Sequence, residues 1–223
     1  MKKTTNNLVL LSMVFGISLV IANVVTSKLI NTHIPLFGEN IVLPGAAVCY
    51  AITYLCTDVI GEIWGAKEAN MCVKFGFIGQ ILATVLIVFT QKLPALDSTM
   101  QSSYDMLLGQ NWIFVIGSLV AYYLSQSWDV KVFHNIRQKY LEKHNNTKHR
   151  WIWNNLSTLS SQIIDTVVFI GISFGLGFGW FFDKNMWIPL ATMMIGQYLL
   201  KALLALLDTP IFYLLTRTEK IDD

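Results

Sequence analysis

Charged residues are scarce in this chain: Asp, Glu, Lys and Arg together make up 13% of its 223 residues, while hydrophobic residues make up 54%. Soluble domains carry roughly twice that charged fraction. Apolar runs of about eighteen residues or more recur along the chain, and a run of that length can cross a bilayer as a helix. The composition therefore predicts a polytopic membrane protein.

Cysteine and histidine are equally sparse. The three cysteines show no C-x-x-C spacing, so the sequence predicts neither a disulfide framework nor a zinc site; they are Cys49, Cys56 and Cys72. The four histidines all fall between the predicted membrane spans, at His33, His134, His144 and His149. This placement excludes H-E-x-x-H metalloproteases and intramembrane Ser–His proteases. Because there is also no Walker A sequence, we expect neither an enzyme nor a bound cofactor.

The apolar runs predict an all-α integral membrane protein with six transmembrane helices. The predicted spans cover 8–30, 41–64, 73–89, 107–127, 156–182 and 186–207. The first run is too long for the apolar region of a signal peptide, so we interpret it as a membrane helix. The connections are short except for a polar, basic loop at about 128–155, and 1–223 is predicted to be one membrane domain.

The placement of Lys and Arg predicts the orientation. If the N-terminus is cytoplasmic, twelve basic residues lie in inner segments: Lys2, Lys3, Lys67, Lys74, Lys131, Arg137, Lys139, Lys143, Lys148, Arg150, Arg217 and Lys220. The outer loops then hold two, Lys92 and Lys184. We therefore expect both termini to be cytoplasmic, in a bacterial inner membrane. The basic loop is interpreted as facing anionic lipid headgroups rather than nucleic acid.

A short internal similarity suggests two halves. Residues Phe77 to Gln80 and Met194 to Gln197 share the letters I-G-Q at corresponding places in the third and sixth spans. The second and fifth spans each contain an aspartate, Asp58 and Asp165. Two three-helix halves would be inverted relative to one another, as in many transporters, with the binding site at their interface.

One helix carries an unusual polar stripe. Tyr50, Tyr54, Asp58 and Glu62 follow one another at i, i+4 spacing and so share a slowly drifting face. A carboxylate in a membrane helix costs about 2.5–3.5 kcal/mol on insertion scales. The stripe could serve only to pair this helix with its neighbours. We interpret it instead as half of a polar binding pocket.

The fifth and sixth spans carry matching polar faces. In the fifth, Gln162 and Asp165 share a face with Thr158 and Phe169. In the sixth, Gln197, Lys201 and Asp208 do the same. Because an unpaired charge inside a membrane is costly, Lys201 is expected to pair with Asp58 or Asp165. Such a pair could bind substrate or could only hold helices together.

Two amides complete the predicted site, Asn23 in the first span and Gln80 in the third. Carboxylates accept from amino and ring N–H groups, amides recognise carbonyl and ring nitrogen atoms, and Tyr50, Tyr54 or Trp64 can stack. This set suits a flat, polar, heteroaromatic ligand. It does not suit an ion channel, which needs rings of like charge or carbonyl filters.

The segment Tyr54-Leu-Cys-Thr57-Asp58-Val-Ile-Gly-Glu62-Ile-Trp64-Gly65 resembles the T-D-x-x-x-E-x-[YW]-G motif of the queuosine-precursor transporter family, also called putative vitamin uptake transporters. The likeness runs nearly the full chain. Its weaker matches are Ala22, Asn23, Lys28, Asp165, Thr166, Phe169, Lys201, Thr209, Pro210 and Tyr213. Trp64 stands where the family more usually has tyrosine.

The resemblance implies a bacterial inner-membrane importer of 7-deazaguanine-type bases, namely queuine and its cyano and aminomethyl precursors. It carries over Asp58 and Glu62 by the motif, and Asn23, Asp165 and Lys201 by the weaker matches. The implied partners are a nucleobase-like small molecule and the lipid bilayer, without nucleic acid, and a homo-oligomer is left open.

Two alternatives stay open. The chain could be the substrate-binding subunit of an energy-coupling-factor-type vitamin transporter, although Gly16 and Ala22 do not give the A-x-x-x-A face of such subunits. It could also be an assembly or insertion factor that transports nothing.

Overall fold

The structure is a computed structural model that describes residues 1–144 and 150–216. Helix α1 (Thr5–Val25) leads into a β-hairpin of β1 (Leu29–Leu36) and β2 (Glu39–Pro44). Then come α2 (Ala47–Trp64), α3 (Ala66–Gln91) and the short α4 (Ser98–Leu108). The long helices α5 (Asn111–His144), α6 (Arg150–Ile170) and α7 (Trp187–Thr216) complete the bundle. A π-helical segment, Gly171–Leu176, continues α6.

The predicted helical membrane protein is confirmed. Within the described residues, five helical stretches are long and apolar enough to cross a membrane: Thr5–Val25, Lys67–Gln91, Ser98–Trp128, Leu159–Leu176 and Lys184–Leu204. Helix α2 is not among these five, but it packs against α1, α3 and α7. Large apolar side chains on the outer faces, such as Met13, Ile17 and Phe75, are exposed, as a lipid-facing surface requires.

The hairpin corrects the first two predicted spans. Instead of helix up to residue 30 and from residue 41, the chain forms two antiparallel strands paired from Leu29–Pro44 to Leu36–Glu39. Phe37 and Gly38, between the strands, both have positive φ, as a tight two-residue loop requires. Strand β2 packs against α7. The apolar residues that follow α1 and precede α2 thus belong to a packed hairpin and do not extend either helix.

The loop predicted at about 128–155 is largely helical. Helix α5 continues to His144 and α6 begins at Arg150, while 145–149 and the chain after 216 lie outside the described residues. The 34 residues of α5 span about 51 Å at 1.5 Å per residue. This exceeds the roughly 30 Å hydrocarbon core, so α5 is long enough to extend beyond the membrane, and α6 packs against it.

Two apolar clusters form the core. One joins Phe15 and Leu19 of α1 with Cys56 and Ile60 of α2 and Cys72 of α3. The other joins residues of α5, α6, the π-helical segment and α7: Phe114, Ala121, Phe169, Ile170, Phe174, Leu190 and Met193. Each cluster thus belongs to helices that are close together in the sequence, although the predicted inversion of the two halves stays a prediction.

Candidate binding cavity

A cavity of about 360 Å³ opens between the two apolar clusters. Ligand sites for small molecules typically measure about 300–1,000 Å³. Helices α1, α2, α3, α5 and α6 all contribute to its lining: Phe15, Leu19, Tyr50, Thr53, Tyr54, Thr57, Asp58, Ala69, Asn70, Val73, Phe77, Ser118, Ala121, Tyr122, Gln126, Asp165 and Phe169. Aromatic rings, carboxylates and amides therefore meet in one space.

A second hollow, of about 460 Å³, lies between α1 and α3. Its lining is almost wholly apolar, with Ser12 and Glu68 among the few polar residues. The exposed side chains of Met13, Ile17 and Phe75 border it, so it is a groove in the lipid-facing surface. We take the smaller cavity as the candidate site because several polar groups converge there.

The mouth of the cavity is on the side of the bundle where α1 begins. Asp58, Asn70 and Gln126 are exposed, whereas Thr53 and Phe169 at the other end are buried. Asp58 lies near the end of α2, and Asn70 lies in the first turns of α3. Gly65 makes the sharp turn between these helices possible, since its φ is +102° and its amide donates to the carbonyls of Ile60 and Gly61.

Four of the residues predicted from sequence line this cavity: Tyr50, Tyr54, Asp58 and Asp165. Tyr50 and Tyr54 lie one helical turn apart with ring centroids separated by 6.2 Å and ring planes inclined by 29°. Both rings belong to the α2 part of the cavity wall. Gln162 of α6 also reaches this place and makes a side-chain hydrogen bond with Tyr54.

The predicted pairing of Lys201 with a membrane aspartate is confirmed for Asp165. The Lys201 Nζ donates to Asp165 Oδ2 and also lies 5.4 Å from the ring centroid of Tyr50. The Lys201 side chain is 4% exposed, against 23% for Asp165. Asp165 lines the cavity and Lys201 does not, so the ammonium supports the carboxylate from outside the cavity.

The remaining predicted residues lie elsewhere. Glu62 is exposed and does not line the cavity, because a step of about 100° per residue turns it roughly 120° away from Tyr50 along α2. Asn23 is buried in α1 and donates to the carbonyl of Leu19 at 3.1 Å. The Gln80 side chain is buried in α3. The amide nitrogens of Asn23 and Gln80 donate within their own helices, and none of the three residues lines the cavity, so their part in substrate binding stays a prediction.

Gln197 of α7 is fully buried, and neither its amide oxygen nor its amide nitrogen has a hydrogen-bond partner within the described residues. It precedes Lys201 by one helical turn. The side chains of five other residues singled out in the sequence lie outside the described ones: Thr158, Asp208, Thr209, Pro210 and Tyr213. No three His, Cys, Asp or Glu side chains in residues 1–144 and 150–216 come together as a metal site would require.

The sequence analysis missed the polar residues that α3 and α5 bring to the cavity. Asn70 comes from α3, while Ser118, Tyr122 and Gln126 come from α5. The three α5 residues are spaced i, i+4, i+8, the same spacing that revealed the stripe on α2. That spacing was visible in the sequence, but uncharged residues carry a weaker signal inside a membrane span than carboxylates do.

Comparison with known proteins identifies relatives of the whole bundle. The family described as "Putative vitamin uptake transporter" matches residues 44–215. A protein of Bacillus subtilis (strain 168) named "Probable queuosine precursor transporter" is 30% identical over 201 residues, covering 89% of this chain and 80% of the relative. No solved structure matches the chain.

The family match covers most of the helical bundle, including α2, α3, α5 and α6, which line the cavity. The apolar helices and the match together make this a multi-pass membrane protein of transporter type. The chain belongs to the putative vitamin uptake transporter family, the family that its T-D-x-x-x-E-x-W-G segment resembles.

Proposed function

We propose that the chain imports 7-deazaguanine-type bases, queuine and its cyano and aminomethyl precursors, as a secondary transporter or facilitator. The observation that carries this proposal is the cavity between the two apolar clusters. It combines the stacked rings of Tyr50 and Tyr54 with the carboxylates of Asp58 and Asp165. A flat base with amino and ring N–H groups can stack on such rings and donate to such carboxylates.

The name of the Bacillus subtilis relative supports queuosine precursors as the substrate class, and the family match supports a transporter. In the proposed orientation both termini are cytoplasmic and the protein lies in a bacterial inner membrane. The mouth at Asp58, Asn70 and Gln126 then faces the cytoplasm, so the structure corresponds to an inward-open state from which substrate leaves.

The decisive experiment reconstitutes this chain alone into lipid vesicles and measures uptake of labelled queuine and its two precursors, with and without a proton gradient. Empty vesicles are the control. Saturable uptake by the chain alone supports the proposal, and its dependence on the gradient separates a proton-coupled transporter from a facilitator.

The alternative is a substrate-binding subunit that needs an ATP-driven partner. Such a subunit binds the base in detergent but gives no uptake when it is reconstituted alone. A chain that neither binds nor transports any of the three bases would contradict both assignments and favour an assembly factor.

A further inference from the structure

Helix α5 presents a second polar wall to the cavity, opposite in chemical character to the wall of α2 and α6. Ser118, Tyr122 and Gln126, here called the α5 polar face, all line the cavity at i, i+4, i+8 spacing. Neighbouring residues of the same helix, Val120 and Tyr123, are 38% and 71% exposed and do not line it. The helix therefore has one side toward the cavity and another toward lipid.

The middle residue of this face is held in place by packing. The ring of Tyr122 contacts the ring of Phe77 on α3, with centroids 4.8 Å apart and planes inclined by 56°. Phe77 also lines the cavity. A ring fixed in this way presents its hydroxyl at a defined position, which loses little conformational entropy when a ligand binds.

The wall formed by α2 and α6 is rich in acceptors. Ionised Asp58 and Asp165 can only accept hydrogen bonds. The two threonines of this wall donate to the helix backbone: Thr53 to the carbonyl of Tyr50 at 2.8 Å, and Thr57 to the carbonyl of Tyr54 at 2.9 Å. The hydroxyl protons of these threonines are therefore not available to a ligand. The donors that remain on the α2–α6 wall are the tyrosine hydroxyls.

The α5 polar face supplies the missing donors. Ser118 and Tyr122 each carry a hydroxyl proton and Gln126 carries two amide protons. Within the described part of the chain, none of these three side chains donates a hydrogen bond to another group. Asn70 of α3 adds a further amide at the mouth.

We propose that the α5 polar face recognises the carbonyl oxygen of the base, with Gln126 and Tyr122 as the donors that determine specificity. This inference rests on the proposed function. A guanine-type base has N–H donors on one part of its edge and a carbonyl acceptor beside them. The α2–α6 wall accepts from the donors, and the α5 polar face donates to the carbonyl.

The first test needs no substrate and so stands apart from the proposed function. In a variant with Cys49, Cys56 and Cys72 replaced by alanine, single cysteines are introduced as Tyr122→Cys, Gln126→Cys and, as matched control, Tyr123→Cys. A charged, water-soluble thiol reagent should label the first two much faster than the third, because only they face a water-filled cavity. Equal labelling of all three would overturn the assignment of this face to the cavity.

The second test measures specificity. Vesicle uptake of labelled 7-deazaguanine is measured in the presence of unlabelled 7-deazaguanine or of the analogue that has an amino group in place of the carbonyl. The competition ratio is the inhibition by the first compound relative to the inhibition by the second. A neutral hydrogen bond is worth roughly two- to tenfold in affinity, and placing a carboxylate against a carbonyl oxygen adds repulsion. Gln126→Glu, which replaces donors by acceptors, should shift the competition ratio toward the amino analogue by about tenfold or more. Tyr122→Phe should weaken uptake of the carbonyl base, and Tyr123→Phe should leave both values unchanged.

The possible results separate the two proposals. If the unmodified chain takes up no such base while Tyr122→Cys and Gln126→Cys are labelled selectively, the proposed function fails and the α5 wall stands as a cavity surface without its assigned ligand. If uptake is normal but Gln126→Glu and Tyr122→Phe keep the original competition ratio, the specificity role of the α5 polar face is wrong.

Discussion

Lys201 pairs with Asp165, and only the carboxylate of this pair lines the cavity, so that one carboxylate joins a buried ammonium and an open polar space. The ammonium also lies over the ring of Tyr50, which itself lines that space. A substrate that donates to Asp165 therefore competes with Lys201 for the same group. We expect the pair to act as a switch that is loosened when substrate binds.

Removing the lysine alone should damage the fold. Lys201→Met leaves Asp165 without its partner, and breaking a buried ion pair from one side costs about 3–5 kcal/mol. Combining Lys201→Met with Asp165→Asn removes both charges and should restore thermal stability in detergent. Lys184→Met is the control, since Lys184 is exposed.

Uptake distinguishes a switch from a purely structural pair. We expect the double variant to fold well and yet fail to transport, because the carboxylate that lines the cavity is gone. Full uptake by the double variant would rule out the switch. A double variant as unstable as Lys201→Met would show that the cost of the single change does not come from the Asp165 pairing.

The two carboxylates of α2 should differ in their effect. Asp58→Asn keeps the shape of a cavity-lining side chain but removes a charged acceptor, and a hydrogen bond to a charged group is worth about 1.5–3 kcal/mol, or roughly ten- to a hundredfold in affinity. We expect Asp58→Asn to lower uptake accordingly and Glu62→Gln to lower it far less, because Glu62 lies outside the cavity.

Both variants are compared at equal expression in the membrane. Normal uptake by Asp58→Asn would remove Asp58 from the site. An equally strong loss in Glu62→Gln would mean that Glu62 reaches the substrate in another conformation, as the motif resemblance implies.

The orientation can be read with reporters. Fusions after Asp223 and within 145–148 should both report a cytoplasmic location, since basic residues are concentrated in those segments. A reporter inserted at Gly38, in the hairpin loop, should report the opposite side. A periplasmic signal from either of the first two fusions would overturn the orientation.

Docking of the hairpin should depend on Gly196. A Cβ atom at this position of α7 would collide with the side chain of Ile41 in β2 and come within 3.2 Å of Leu43. Overpacking of this kind costs about 1–3 kcal/mol, so Gly196→Ala should lower the thermal stability.

Gly79→Ala is the matched control for that change. It is also a helical glycine, but a Cβ there meets nothing within 4 Å. It should be neutral or stabilise the helix by about 0.5–1 kcal/mol. Equal stability losses in both variants would show that the contact between hairpin and α7 is not responsible.

The sequence predicted those features that rest on strong, local energetic signals. Long apolar runs predicted the helices, and the cost of isolated charge in a membrane predicted the pairing of Lys201 with an aspartate. It assigned residues 29–30 and 41–44 to helical spans because these residues are mostly apolar, whereas they belong to a hairpin whose second strand packs against α7. The hydrophobic periodicity of one segment does not predict such packing between segments that are far apart in the sequence.

Only part of the candidate site was predictable from the sequence, namely the part that carries charged residues. The stripe on α2 was visible, but it drifts by about 40° every four residues, so Glu62 at its end does not line the cavity and its part in binding stays a prediction. The α5 polar face was missed because serine, tyrosine and glutamine are tolerated at many helix interfaces. Only the arrangement of α5 opposite α2 shows that these side chains share a cavity.

The separation of the core into two clusters has a consequence for assembly of the protein. The buried members of each cluster come from helices that are close together in the sequence, with Val42 of β2 packed against the second cluster, and the segment containing α4 is the covalent link between α3 and α5. The side chains of Leu96, Met100 and Met106 in this segment are exposed, so the link adds little to either core. A gene cut between the codons of α3 and α5 should therefore yield two fragments that find each other in the bilayer and rebuild the intact protein.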